Sequence, residues 1–191
     1  MPARLRAFVA VELPQDLLTA LEAVQTELRQ RLRARWVRPG SMHLTLKFLG
    51  DIPAAQVASV AAAVQAATGG HTRFSLAATG IGVFPSLRRP RVIWAGFSGQ
   101  TGLLSDLQRS LEESLAALGF PPEERPFRGH LTIGRFSEPV DPGRMAEVVN
   151  SFDARVFGEL AVRELVLFQS DLQPKGPVYT ALARAQLKES F

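Results

Sequence analysis

Two histidines and two threonines carry the clearest chemical signal in this chain. His43-Leu44-Thr45-Leu46 and His130-Leu131-Thr132-Ile133 repeat one pattern of His, Leu, Thr and aliphatic residue. The chain has three histidines and nine threonines in 191 residues, so chance rarely sets Thr two places after both. In an extended strand, residues i and i+2 share a face. His43 then stands beside Thr45, and His130 beside Thr132. Leu44, Leu46, Leu131 and Ile133 point the other way, into a core. Two such strands facing each other across a groove would set two imidazoles and two hydroxyls around one small anion.

Imidazole titrates near pH 6.5, so near neutrality one ring can take a proton from water while the other gives one to a leaving alkoxide. Threonine hydroxyls can donate to the non-bridging oxygens of a phosphate. A five-membered cyclic phosphodiester needs little more than in-line attack, protonation of the leaving group and charge stabilisation. Each proton-transfer role is typically worth ~10²–10⁴ in rate. No metal is demanded. Two histidines without an acidic cluster fall short of the three protein ligands usual in a catalytic metal site. The competing explanation is two buried strands with incidental polar residues, since buried His finds a partner and Thr is common in strands. The matched contexts of the two phrases count against it.

The elements that must position these phrases are legible from periodicity. Ala7 to Leu13 reads as a buried strand, and Leu17, Leu21, Val24, Leu28 and Leu32 mark a helix from about Pro14 to Arg33. Trp36 to Met42 is a connection around Pro39-Gly40. The first His phrase continues through Leu49, Gly50-Asp51 ends it, and an Ala/Val-rich helix follows from Pro53 to about Ala67. His71 is expected in an exposed loop, without chemistry. Phe74 to Phe84 is extended, with Gly80 and Gly82 marking a bend or a close backbone approach. Val92 to Phe97 is a strand, and Leu103 to Leu115 a helix with Gly119 placed to end it. After the second phrase come a short helix from Pro142 to Asn150, strands near 157–161 and 165–170, a turn over 171–177, and a last strand from Val178 to Ala185. The order strand, helix, His phrase, helix, strand occurs twice. A duplicated unit of this kind sets the architecture. The expectation is an α+β fold, residues 1–191 forming one domain of two pseudo-symmetric lobes, each lending one His phrase to a central groove.

Composition narrows the setting. Hydrophobic residues make up 46% and charged residues 21%, as in soluble globular proteins. Without cysteine there is no disulfide, thiolate nucleophile or Cys-ligated zinc. No signal peptide or membrane span is expected, because Glu12 interrupts the first apolar run and no run approaches ~20 residues. A cytoplasmic monomer is the default. Net charge is +4, carried by 19 Arg and three Lys. Arginine's planar fork suits phosphate, although genome composition also explains such usage. Arg29, Arg31, Arg33, Arg35 and Arg38 cluster around the end of the first helix. There the macrodipole favours cations, and an RNA contact is compatible if that end borders the groove.

These features together resemble the two-histidine (2H) phosphoesterase superfamily, and in detail its RNA 2′,3′-cyclic phosphodiesterase branch, also called 2′-5′ RNA ligases. The resemblance covers nearly the whole chain. Besides the two phrases it rests on Arg6-Ala7-Phe8-Val9-Ala10-Val11, Trp36-Val37-Arg38-Pro39, Lys47-Phe48-Leu49-Gly50, Gly82-Val83-Phe84-Pro85, Arg91-Val92-Ile93-Trp94 and Gly134-Arg135. It implies a bilobal fold of antiparallel sheets and helices, and cofactor-free, metal-independent opening of 2′,3′-cyclic phosphate ends of RNA, or of cyclic nucleotides, to 2′-phosphates. It implies His43 as proton donor to the leaving 3′ oxygen, His130 as the acceptor that activates water, Thr45 and Thr132 beside them, and Arg135 as a phosphate contact. Phe48 and Phe84 are candidates to stack on a base, core packing being the alternative. The same groove run backwards would ligate 2′-5′ ends. A protein that only binds RNA ends, through the basic cluster, is the competing class.

Overall fold

A computed structural model describes residues 3–174 and 176–189. Among the described residues, nine strands form two antiparallel sheets. The four-stranded sheet has the order β3 (His43–Pro53), β1 (Arg4–Glu12), β8 (Glu164–Gln173), β9 (Gly176–Gln186). The five-stranded sheet has the order β2 (Arg35–Trp36), β6 (Leu131–Arg135), β5 (Val92–Gly99), β4 (Phe74–Phe84), β7 (Val156–Val162). Helices α2 (Val57–Thr68) and α3 (Thr101–Ala116) pack on the first sheet. Helices α1 (Gln15–Arg29) and α4 (Pro142–Ser151) pack on the second.

Each sheet turns one face to its helices. Val9, Val11, Leu44 and Leu46 do so from the first sheet, and Leu76, Ile93, Ala95, Leu131 and Ile133 from the second, all buried. They join the helices' Leu17, Leu21, Leu28, Leu104, Leu107 and Leu111 in one contiguous cluster, so both sheets share a core. Burying one such Leu is worth ~1.5–3 kcal/mol. The other face of each sheet is left for the groove.

The halves of the chain do not correspond to the sheets. β4, from the first half, pairs with β5, and β8, from the second, pairs with β1. Likewise α1 covers the five-stranded sheet and α3 the four-stranded one. The two repeats therefore exchange elements, which periodicity along the chain cannot reveal.

Most expected elements occur, with several corrections. α1 stops at Arg29, not Arg33, and Arg35–Trp36 form β2, where only a connection was expected. β3 runs through Gly50-Asp51 to Pro53, because Gly50 takes φ +69° within a paired strand. The second helix consequently begins at Val57, after a short 3-10 turn. His71 is half-buried and its Nε2 lies 2.9 Å from Ser110 Oγ, so it anchors a loop rather than standing free. The last hairpin is also longer than expected, with β8 and β9 paired from Gln173↔Gly176 inward.

Candidate active site

Both His phrases carry the same irregularity. On β3, Thr45 pairs with Ala10 of β1, but the next pair is Lys47 with Val9, so Leu46 is an extra residue. On β6, Thr132 pairs with Trp94 of β5 and the next pair is Gly134 with Ile93, so Ile133 is extra. A bulge of this kind reverses the alternation downstream of it. Lys47 and Gly134 therefore turn toward the core, and Phe48 and Arg135, each three residues after its Thr, return to the groove face. Strict alternation would have sent Phe48 and Arg135 the opposite way.

Each bulge carbonyl meets a buried glutamine from a helix of the other repeat. Gln25 of α1, fully buried, donates from Nε2 to Ile133 O at 2.8 Å and to Val37 O at 2.7 Å. Gln108 of α3 reaches Leu46 O at 3.5 Å and Glu112 Oε1 at 2.9 Å. Glu112 in turn binds the buried Lys47, Nζ to Oε2 at 2.7 Å, and Lys47 also donates to Pro121 O at 2.6 Å. Sequence reasoning missed all four of these supports. For Gln25, Gln108 and Glu112 the signal was a polar residue at a core-facing helical position; Lys47 gave none, because strict alternation puts it on the face of His43 and Thr45.

On the four-stranded sheet the groove face is apolar and aromatic. The His43 ring stacks on Phe8 at 4.6 Å between centroids and meets Tyr179 edge-on at 5.1 Å. Phe8 also contacts Phe168 and Phe48, and Phe48 is 59% exposed, which removes the core alternative for it. Tyr179, the chain's one tyrosine, was not singled out from sequence. Burial drives the His43 imidazole from 6.5 down to about 4, against an opposing hydrogen bond to the Ser41 backbone.

On the five-stranded sheet, His130 precedes β6. Its Nδ1 lies 2.7 Å from Arg128 O. A carbonyl only accepts, so Nδ1 carries the proton, and neutral His130 keeps a lone pair on Nε2. Phe84 meets the His130 ring edge-on at 5.0 Å, and Trp94 lies 6.2 Å from it. Phe84 is half-buried, so it serves packing and groove at once. Burial lowers the His130 pKa, the Arg128 hydrogen bond opposes this, and the positive charges of Arg135 and Arg128 lower it further.

β3 and β6 are in direct contact, and on the core side a Cβ on Gly129, next to His130, would sit 3.7 Å from Leu44 Cδ1, next to His43. Arg135 acts electrostatically on His130 and on Tyr179 from the opposite sheet, so its guanidinium is felt on both sides. Tyr179 itself is held above its ordinary pKa by burial, with Arg135 and Arg6 opposing. Thr45 and Thr132 are half-buried on the groove faces. Among the described residues, no three His, Cys, Asp or Glu side chains gather as a metal would need.

Two antiparallel sheets with flanking helices, each sheet carrying a His-x-Thr phrase whose polar residues lie on the face away from the helices, have the architecture of the two-histidine phosphoesterases. The LigT-like phosphoesterase family model matches residues 11–94 and 98–179, and the chain belongs to that family. It is 35% identical over 178 residues to an RNA 2′,3′-cyclic phosphodiesterase of Methanothermobacter thermautotrophicus, covering 93% of this chain and 96% of that one. A solved protein of Thermus thermophilus superposes with TM-score 0.79 at 30% identity, over 97% of this chain and 100% of that one. Escherichia coli LigT, crystallised with 3′-AMP, superposes with TM-score 0.73 at 25% identity, over 97% and 99%. Among the described residues, no helix is long and apolar enough to cross a membrane.

Proposed function

We propose that this protein opens 2′,3′-cyclic phosphodiester ends of RNA to 2′-phosphates, without a metal, by a two-histidine acid–base pair. The observation that carries the reading is the matched pair of bulged His-x-Thr phrases, one on each of two sheets whose His-bearing strands β3 and β6 touch. The name shared by relatives at 30–35% identity supports the substrate class. Neutral His130 takes a proton from water through its free Nε2 as the water oxygen bonds to phosphorus. The bond from phosphorus to the 3′ oxygen breaks, and His43 gives that oxygen its proton. Thr45, Thr132 and Arg135 bind the non-bridging oxygens as negative charge gathers there. Phe48 offers a face for the terminal base, and Phe84 braces the His130 ring beside it. Attack by a 5′-hydroxyl on the same phosphorus would instead give a 2′-5′ linkage. The groove is built within one chain, so a monomer suffices.

Burial keeps both rings neutral in the free protein, yet the donor must be charged. An anionic phosphodiester within ~4–6 Å favours the charged imidazole, so the substrate itself loads the proton. The test is incubation of cyclic-phosphate-ended RNA with the protein in EDTA, with 2′- and 3′-phosphate products resolved. Rapid formation of 2′-phosphate is expected. Persistent cyclic ends, or 3′-phosphate product, would overturn the reading. Tight, salt-dependent binding with the ends unchanged would favour an RNA-end-binding module instead. His43→Ala and His130→Ala should each remove most activity, and the double variant should be little worse than either, because the pair acts as a unit.

A further inference from the structure

α1 ends at Arg29 with its last turn closed through Leu32, so Arg33 and Arg35 lie past the reach of its dipole. Arg35 is placed by the ladder directly opposite Arg135. Directly opposed residues share a face, so Arg35 stands on the groove face beside Arg135. Two like charges so placed destabilise a sheet edge. Neither has an ion pair among the described residues, and both are exposed. The antiparallel register then carries the chain outward from this pair on both sides. Residues 31–34 run toward it and residues 136–140 run away from it. Immediately beyond lies a cleft of about 320 Å³ lined by Arg29, Arg31, Arg33 and Arg144, with Glu138 and Asp141 as its acids. Asp141 is engaged in capping α4, its Oδ1 accepting from Arg144 N at 2.8 Å. Four guanidiniums meet two carboxylates here, and none of the six is in an ion pair among the described residues.

We infer that Arg35, Arg33 and this cleft form a track for the phosphates upstream of the reacting RNA end. The inference rests on the function proposed above and deepens it. A 2′,3′-cyclic end has RNA on its 5′ side only, so a bound polymer must leave the groove in one direction. The Arg135–Arg35 edge offers a row of guanidiniums that a polyanion would neutralise. A cyclic mononucleotide has no upstream phosphate and gains nothing from the track. The track therefore confers preference for polymer over mononucleotide.

The experiment compares wild type with Arg33→Ala/Arg35→Ala on an RNA octamer with a cyclic end and on adenosine 2′,3′-cyclic phosphate. The ratio of kcat/KM for octamer over mononucleotide should fall about tenfold or more in the double variant. The log–log salt dependence of octamer binding should become shallower by about 1–1.5, as expected for two lost single-strand phosphate contacts. Arg135→Ala, by contrast, should depress both substrates. An unchanged ratio in the Arg33/Arg35 variant, or equal losses on both substrates, would overturn the track. If wild type leaves both cyclic substrates intact, the proposed activity fails, and the track is judged by anisotropy of a 5′-labelled octamer. Equal affinity and salt slope in wild type and double variant would then overturn it. A weaker, flatter salt dependence in the variant would uphold it.

Discussion

The ligand-free protein should lose stability on acidification between pH 6.5 and about 4, with His43 as a principal cause. Its imidazole titrates at 6.5 in the unfolded chain and about 4 in the fold, because burial against Phe8 and Tyr179 disfavours the cation. Within that window the unfolded state binds a proton that the folded state refuses. Stability therefore rises with pH across the window and is lost as pH falls through it. Above 6.5 the contribution is intact, and below about 4 both states are protonated and no further loss comes from this group. At ~1.36 kcal/mol per pH unit, the gap amounts to about 3 kcal/mol. Urea denaturation of wild type and His43→Asn from pH 4 to 8 isolates it, since carboxylate effects common to both cancel in the difference. The wild-type curve should be steeper by about 3 kcal/mol over the window. Histidine NMR titration gives the same answer directly, and adding 2′-AMP should move the His43 midpoint upward as the bound anion stabilises the cation. Parallel stability curves, or a His43 midpoint near 6.5 without ligand, would refute the argument from burial.

Other substitutions probe the supports of the groove. Gly82→Ala would place a Cβ 2.2 Å from Trp94 Cζ2, so Trp94 must leave its place beside Phe84 and His130. A cost of ~1–3 kcal/mol in thermal or urea melts is expected, with a fall in kcat/KM; wild-type values for both would contradict the packing. Gln25→Met orphans Val37 O at ~1–3 kcal/mol, but Ile133 O keeps its bond from Val37 N, and the unpartnered Gln25 Oε1 disappears. Net stability should change by only ~1 kcal/mol. Activity should fall further than that, and the loss should not add to that of Arg135→Ala, because Gln25 acts by holding the bulge that aims Arg135; additive losses would exclude this link. Phe48→Ala should leave stability within ~0.5 kcal/mol, Phe48 being largely exposed, while raising KM for nucleotide substrates at nearly constant kcat, since base stacking is worth ~1–3 kcal/mol.

Local chemistry was enough to reach the pairing of His43 with Thr45 and His130 with Thr132, the alternating order of helices and strands, and the apolar faces of α1 and α3. These follow from two-residue and 3.6-residue periodicities, which act between near neighbours and are written in the chain. Three features lay beyond it. The exchange of β4 and β8 between repeats depends on which strand edges meet, and β1, β3, β4, β5 and β8 all carry a compatible apolar face. The bulges at Leu46 and Ile133 depend on ladder partners and on Gln25 and Gln108, which arrive from helices far away in sequence. Those bulges decide that Lys47 goes to the core while Phe48 and Arg135 go to the groove. Tyr179 likewise joins the site only because β9 lies beside β8. A strand's pattern states which residues alternate, but one extra residue reverses the faces, and only packing against the rest of the molecule determines where that residue is accommodated.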